Sequence, residues 1–491
     1  MAEVRHPRRP LTPGAANLGQ GWKAPLTKVT ITGMVPSLVG EHQAAPAPDA
    51  RGAPAPFPWY LWAVLPIWAA AAIWSAHGGV AQVELEQYLP YHLSNAPFAA
   101  QLYNSRVLDQ GMYQARELSY ALDAIDCRFI AWSVRLGFPH FLSIVYFSCT
   151  LATALLLWRF LTGALALDRV AALLLIALYL TAPCVFFSTS YFRSAKASLT
   201  LGTMILCGLL YRGLKANHRR WTRWLIFGLV AFAATLCDRQ GFFLVSVMAA
   251  LLAIFSVLGR SLAAAAAALA AFAAAGLSLL YNYAIAPRLT LALNGYWPDF
   301  SYQTLPWRDF LATPAAYALA GLGLLLDTVR FLFGDFPAPF APLLVAAVVL
   351  AIAWRHGRLC GILAGSFLLC LVAMNALMTL RHRAVLWEDV RRGAYFLPAT
   401  LLLVTLAGIA LAGLFRRPAP LALRVALAAA LIGNIAALPS HRAILDAGDG
   451  SAGPGTARKA ISAALRQALA TGRPTPEVAD DPIYRALSVG K

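Results

Sequence analysis

Six carboxylates fall within one polar stretch, residues 78–139: Glu84, Glu86, Asp109, Glu117, Asp123 and Asp126, in a chain with only 22 acidic residues. A positioned carboxylate can take the proton from an attacking hydroxyl, which is general-base chemistry. A set of basic residues occupies short turns elsewhere: Arg193, Lys196, Arg239, Arg381, Arg383, Arg391 and Arg392. The planar guanidinium fork suits phosphate. Such cations stabilise charge on a departing phosphate, alone or with a divalent ion, magnesium or manganese. Acids and bases of this kind predict a transferase using a phosphate-linked donor. Salt bridging to Asp238, Glu388, Asp389 and the acids of 78–139 is the competing account of the basic set. The chain carries no P-loop and no dinucleotide fingerprint, so the expected donor is an activated lipid.

The acids are not equivalent. Glu84 and Glu86 stand closest to the end of the first apolar run, where plain interfacial charges are also common. Asp109 suits either chemistry or capping of the helix that follows. Arg116 and Glu117 suit a structural pair, donor positioning or, for Glu117, catalysis. Asp123 and Asp126 share one helix face at i, i+3, and are expected to be solvated or to bridge Arg128. His92 and His140 have no partner at metal-ligand spacing. Tyr296, Trp297 and Trp307 suit stacking on a sugar or lipid, or an aromatic belt.

The elements that position these residues are membrane helices. The chain is 59% hydrophobic and 13% charged, with mean hydropathy +0.63, against about 25% charged in soluble domains. Apolar runs approach the ~20 residues that cross a bilayer. Spans are expected near Trp59–Ala76, Phe141–Phe160, Val170–Ser190, Leu199–Tyr211, Trp224–Cys237, Phe242–Leu258, Leu262–Ala286, Phe340–Trp354, Leu359–Leu380, Ala394–Phe415 and Leu421–Leu438. The fold class is therefore all-α, a polytopic transmembrane helical bundle of about eleven spans, give or take two. Its first external loop, 77–139, is expected to be helical.

Residues 1–57 are rich in Pro, Ala and Gly and read as a disordered cytoplasmic tail. Residues 58–438 form the membrane domain, and 439–491 a C-terminal tail with one amphipathic helix at Ala457–Leu469. A second external loop is expected at 287–339, with an interfacial or re-entrant helix at Ala315–Phe333, because Asp327 and Arg330 interrupt that run. Thirteen basic residues and one acid, Asp168, fall on the side assigned to the cytoplasm beyond the N-terminal tail. This bias places the N-terminus inside and the acidic loop outside an inner membrane. It also accounts for the net charge of +18, which anionic lipid accommodates, so no nucleic acid partner is expected. Seven cysteines show no paired spacing, and no disulfide or metal framework follows.

The layout resembles the GT-C glycosyltransferases, in particular the protein O-mannosyltransferase and aminoarabinose transferase branch. The Asp-Glu-x-x-Tyr-like motif after the first span has its counterpart in Glu84-Leu85-Glu86-Gln87-Tyr88, where Leu85 replaces the second acid. Gly111-Met112-Tyr113 resembles a Gly-x-Tyr element. Cys237-Asp238-Arg239-Gln240-Gly241 is similar to a Thr-Arg/Lys-x-x-Gly turn, and Arg391-Arg392-Gly393-Ala394-Tyr395-Phe396-Leu397-Pro398 to an Arg-Tyr-x-x-Pro entry. The resemblance covers about Trp59 to Phe415. It implies transfer of a sugar from a polyprenyl-phosphate donor in the membrane lipid to a glycan, lipid or protein acceptor. Glu84 or Glu86 would be the base, with Asp109 and Glu117 assisting. Tyr88, Arg116, Arg193, Lys196, Arg239, Arg381, Arg383, Arg391, Arg392 and Tyr395 would bind substrate. A transporter or lipid flippase and a noncatalytic assembly partner are the rival classes, although no repeat between the two halves supports transport.

Overall fold

A computed structural model describes residues 59–75, 83–108, 113, 115–188, 194–215, 221–300, 361–366, 397–414, 420–448 and 454–488. Among these the chain is helical throughout and has no strand. Five helices are long and apolar enough to cross a membrane: Ile144–Ala164, Ala195–Lys215, Arg239–Gly259, Leu262–Asn294 and Leu421–Pro439. Four shorter apolar helices accompany them, Ala63–Trp74, Arg169–Thr181, Trp221–Cys237 and Leu397–Gly413. The N-terminal tail, the Ala315–Phe333 helix and the spans expected at Phe340–Trp354 and Leu359–Leu380 lie outside the described residues, apart from helical residues 361–366.

The elements in order are α1 (Trp59–Ser75), α2 (Val83–His92), α3 (Phe98–Leu102), α4 (Ser105–Leu108), α5 (Glu117–Arg135), α6 (Ile144–Arg159), α7 (Arg169–Thr181), α8 (Pro183–Ser188), α9 (Ala195–Lys215), α10 (Trp221–Cys237), α11 (Arg239–Gly259), α12 (Leu262–Leu280) and α13 (Ala286–Asn294). They are followed by α14 (Leu397–Leu414), α15 (Leu421–Gly448), α16 (Pro454–Thr471), α17 (Pro476–Ala479) and α18 (Pro482–Ser488).

Local chemistry sets the helix starts. Ser143, Asp168, Asp238 and Ser261 each accept a backbone N–H from the first turn they precede, satisfying donors that the helix leaves open. The span expected at Val170–Ser190 is broken at Ala182, which is extended, before Pro183. Proline lacks the N–H and crowds the residue before it. The freed carbonyl of Leu180 accepts the Trp68 indole N–H at 2.8 Å, which ties α1 to α7.

Two boundaries differ from expectation. The loop expected from 287 starts only after Asn294, because a π-helical turn, Tyr281–Ile285, carries α12 into α13. Pro287 sits in the first turn of α13, where a missing N–H costs little. The tail expected from 439 begins as helix, since α15 runs through Pro439 to Gly448.

Small residues let the spans approach closely. α12 turns Ala263, Ala267, Ala271 and Ala274 inward, and packs against α10 and α11, as short side chains allow in lipid. α7 packs on α15, and an ion pair between Asp168 and Arg424 at 3.2 Å joins their starts.

A second apolar core lies apart from this bundle. Leu85 and Leu89 of α2, Ile130 and Val134 of α5, and Ile483 and Leu487 of α18 belong to it. The first loop is thus helical, as its sequence indicates. The helix expected at Ala457–Leu469 lies within α16, and among the described residues α17 and α18 follow it and complete this layer with α2. Each fully buried Leu or Ile contributes about 1.5–3 kcal/mol.

Candidate active site at the loop–membrane junction

The loop layer meets the membrane helices at a buried charge cluster. Asp238 caps α11 with extended backbone, and its Oδ1 accepts from Gln240 N at 2.9 Å. The same oxygen accepts from Lys196 Nζ at 2.6 Å, and Oδ2 lies 3.1 Å from Arg116 Nη2. Lys196 also donates to Gln240 Oε1 at 3.0 Å. Burial alone would raise the Asp238 pKa, but Lys196 and Arg116 outweigh it and hold this carboxyl well below the usual range. Lys196 stands in the first turn of α9, where a cation opposes the helix dipole; Asp238 offsets that cost.

Tyr113 links this cluster to Glu117. Its carbonyl accepts from Arg239 Nη2 at 3.2 Å, and its hydroxyl donates to Glu117 Oε1 at 2.5 Å. Burial and the neighbouring Glu117 push the Tyr113 hydroxyl far above its ordinary value, so it keeps its proton and donates it to the Glu117 carboxylate. Glu117 is buried and opens α5, where the helix N-terminus favours an anion. Between them, Ala115 has φ +55°, a left-handed conformation costing about 1–2 kcal/mol for a residue with a Cβ. Strain of this kind concentrates at functional sites.

The π turn after α12 packs against Tyr113. Tyr281 and Tyr103 share a hydrogen bond at 2.6 Å. Asn282 is buried beside Tyr113 and donates to Ser278 Oγ at 3.3 Å. Phe300 packs edge-on against Tyr113 and stacks with Tyr283. π turns interrupt helices frequently at functional sites.

Of the residues singled out by sequence, Arg116, Glu117, Lys196 and Arg239 come together here. Glu86 is half-buried on α2. Glu84 lies in the first turn of α2, but its side chain is outside the described residues, as are Asp109, Arg193, Arg381, Arg383, Arg391, Arg392 and Tyr395. Tyr88 is buried in the second core, with its hydroxyl donating to Leu108 O at 2.6 Å. Asp123 and Asp126 are buried and not solvated. Asp123 accepts from Ser194 N and Oγ at 3.1 and 2.8 Å, while Asp126 accepts from Ser143 Oγ and from Val145 N at 2.9 Å. Those bonds anchor α5 to the starts of α9 and α6. Tyr296 spends its ring on Arg106, 4.0 Å from the guanidinium carbon, while Trp297 is exposed.

The sequence offers Asp238 as a counter-ion and as part of the Cys237–Gly241 motif, and does not single out Tyr103, Tyr281 or Asn282. Tyr281-Asn282-Tyr283 at the end of an Ala-rich span was the available signal. Among the described residues no group of three or more His, Cys, Asp or Glu is placed to hold a metal. Asp238 already faces two cations, so the cluster does not have the donor set of a divalent-ion site. No protein-family model and no curated protein matches this chain.

Proposed function

We propose that this membrane protein is a glycosyltransferase that moves a sugar from a polyprenyl-phosphate donor to a hydroxyl acceptor. One observation carries the reading: Tyr113 joins a buried carboxylate, Glu117, to a guanidinium, Arg239, where the loop helices meet the membrane bundle. Arg116, Lys196 and Arg239 gather beside Glu117 and Asp238, and guanidinium groups of this kind suit a phosphate. In the proposed reaction the acceptor oxygen attacks the anomeric carbon and its proton passes to Glu117. The anomeric carbon–oxygen bond breaks, and the electron pair leaves with polyprenyl phosphate. Arg239 stabilises that leaving charge. Asp238 positions Lys196 and Arg116 and takes no proton itself. This assignment moves the base from Glu84 or Glu86 to Glu117.

The test is a panel of carboxamide variants, Glu84→Gln, Glu86→Gln, Asp109→Asn and Glu117→Gln, assayed in membranes with labelled lipid-linked sugar. Glu117→Gln is expected to reduce transfer by about 10²–10⁴-fold, the usual worth of a general base. Full transfer by this variant, with loss in Glu84→Gln or Glu86→Gln, would return the base to α2.

A further inference from the structure

Helix α5 packs Ile130 and Val134 into the second core and carries a further apolar stripe on its exposed face. It buries Asp123, Asp126 and Ser133, and exposes Ile125 (51%), Trp132 (54%) and Leu136 (52%), followed by Phe138 (77%). Positions 125, 129, 132 and 136 recur at helical spacing, so these side chains form one stripe. Phe129, half-buried, lies in that stripe between Trp132 and His140, with ring centroids 5.6 and 5.1 Å away. Arg128 and Arg135, both exposed, run along one flank two turns apart. Arg128 holds its guanidinium carbon 5.5 Å from the Phe98 ring. A contiguous aromatic and aliphatic surface of this kind marks an interaction face.

We infer that this face of α5 docks on the adjoining bilayer leaflet, with Trp132, Leu136 and Phe138 in the acyl boundary and Arg128 and Arg135 on anionic lipid phosphates. Two observations select lipid over a protein partner. The stripe is continuous with the membrane, since residues 136–143 lead directly from α5 into the span that starts at Ile144. Its flank carries two arginines and no acid, because the helix's carboxylates face inward on Ser194, Ser143 and Val145. An apolar face edged by arginine is the signature of a helix lying in the interface, and long basic side chains reach from it to the headgroups. Docking would hold the Glu117 end of the same helix at a fixed depth.

The test uses the full chain in nanodiscs of phosphatidylcholine containing phosphatidylglycerol, with Trp132→benzoylphenylalanine or, should that variant not fold, Phe138→benzoylphenylalanine. Thr471→benzoylphenylalanine, exposed on α16, is the aqueous control. On illumination the α5 probe should form lipid adducts well above the control. Adducts no greater than the control, or a cross-linked protein dimer, would overturn the proposal. In the Arg128→Gln/Arg135→Gln background the ratio of phosphatidylglycerol to phosphatidylcholine adduct should fall by about fivefold per arginine. Because both lipids compete within one sample, loss of fold does not bias that ratio. An unchanged ratio would contradict the assignment of the arginines to lipid phosphate.

Discussion

Asp126 and Asp238 are both buried carboxylates, yet their surroundings drive them in opposite directions. Burial dominates at Asp126 and raises its carboxyl to about 7 despite hydrogen bonds from Ser143 and Val145. An unfolded Asp titrates near 3.9, so between about pH 4 and 7 the unfolded chain has lost a proton that the folded one keeps. Stability therefore falls as pH rises through that window, on the order of a few kcal/mol. Thermal unfolding from pH 4.5 to 8 should show this decline. Asp126→Asn, which keeps an acceptor for Val145 N, should flatten it; an unaltered slope would contradict the assignment. At Asp238 the shift is downward, so its contribution is complete above the unfolded value and is lost only in stronger acid. Asp238→Asn leaves Arg116 and Lys196 without their shared carboxylate, and should cost about 3–5 kcal/mol. That loss should be the same at pH 5 and pH 7 by thermal shift. The sequence displayed Lys196, Arg239 and Asp238 as nearby charges of opposite sign, but not that Asp238 takes two cations, because that depends on how α5 and α9 approach it.

At the level of elements, the α10–α11 hairpin sets the site. A Cβ on Gly241 would lie 2.0 Å from Ala234 O and 3.1 Å from Leu199 Cδ1, so the two helices approach only because no side chain intervenes. Gly241→Ala should destabilise by about 1–3 kcal/mol and loosen the Asp238 cap. Gly433→Ala, with nothing within 4 Å, should be neutral or slightly stabilising, as expected for Ala in a helix interior. A thermal-shift comparison of the two variants checks this. The Cys237–Gly241 turn was visible in the sequence as a motif. The helix continuing past Pro287 was not, since a π turn leaves no hydropathy signal. α18 covers α2 with Ile483 and Leu487 in the shared core, and α17 packs on α16 and α18. Removing residues 472–491 should therefore raise hydrogen exchange across Val83–His92 while α11 and α12 keep their protection; unchanged exchange in α2 would contradict this packing.

For the whole molecule, composition and apolar run length made helical membrane character legible, because lipid imposes it on nearly every residue of a span. The second core was not legible. It joins residues near position 85 to residues near position 485, and contacts so distant in sequence leave no local periodicity. The same layering makes Glu117 part of both the loop layer and the membrane junction, on which the proposed chemistry rests. The most direct measurement is sugar transfer by the purified, reconstituted full chain supplied with labelled polyprenyl-phosphate sugar and an acceptor. The wild type should transfer label and release polyprenyl phosphate, and Glu117→Gln should do both about 10²–10⁴-fold more slowly while retaining the wild-type melting temperature within a few degrees, about 1 kcal/mol. Equal transfer by wild type and Glu117→Gln would contradict the account.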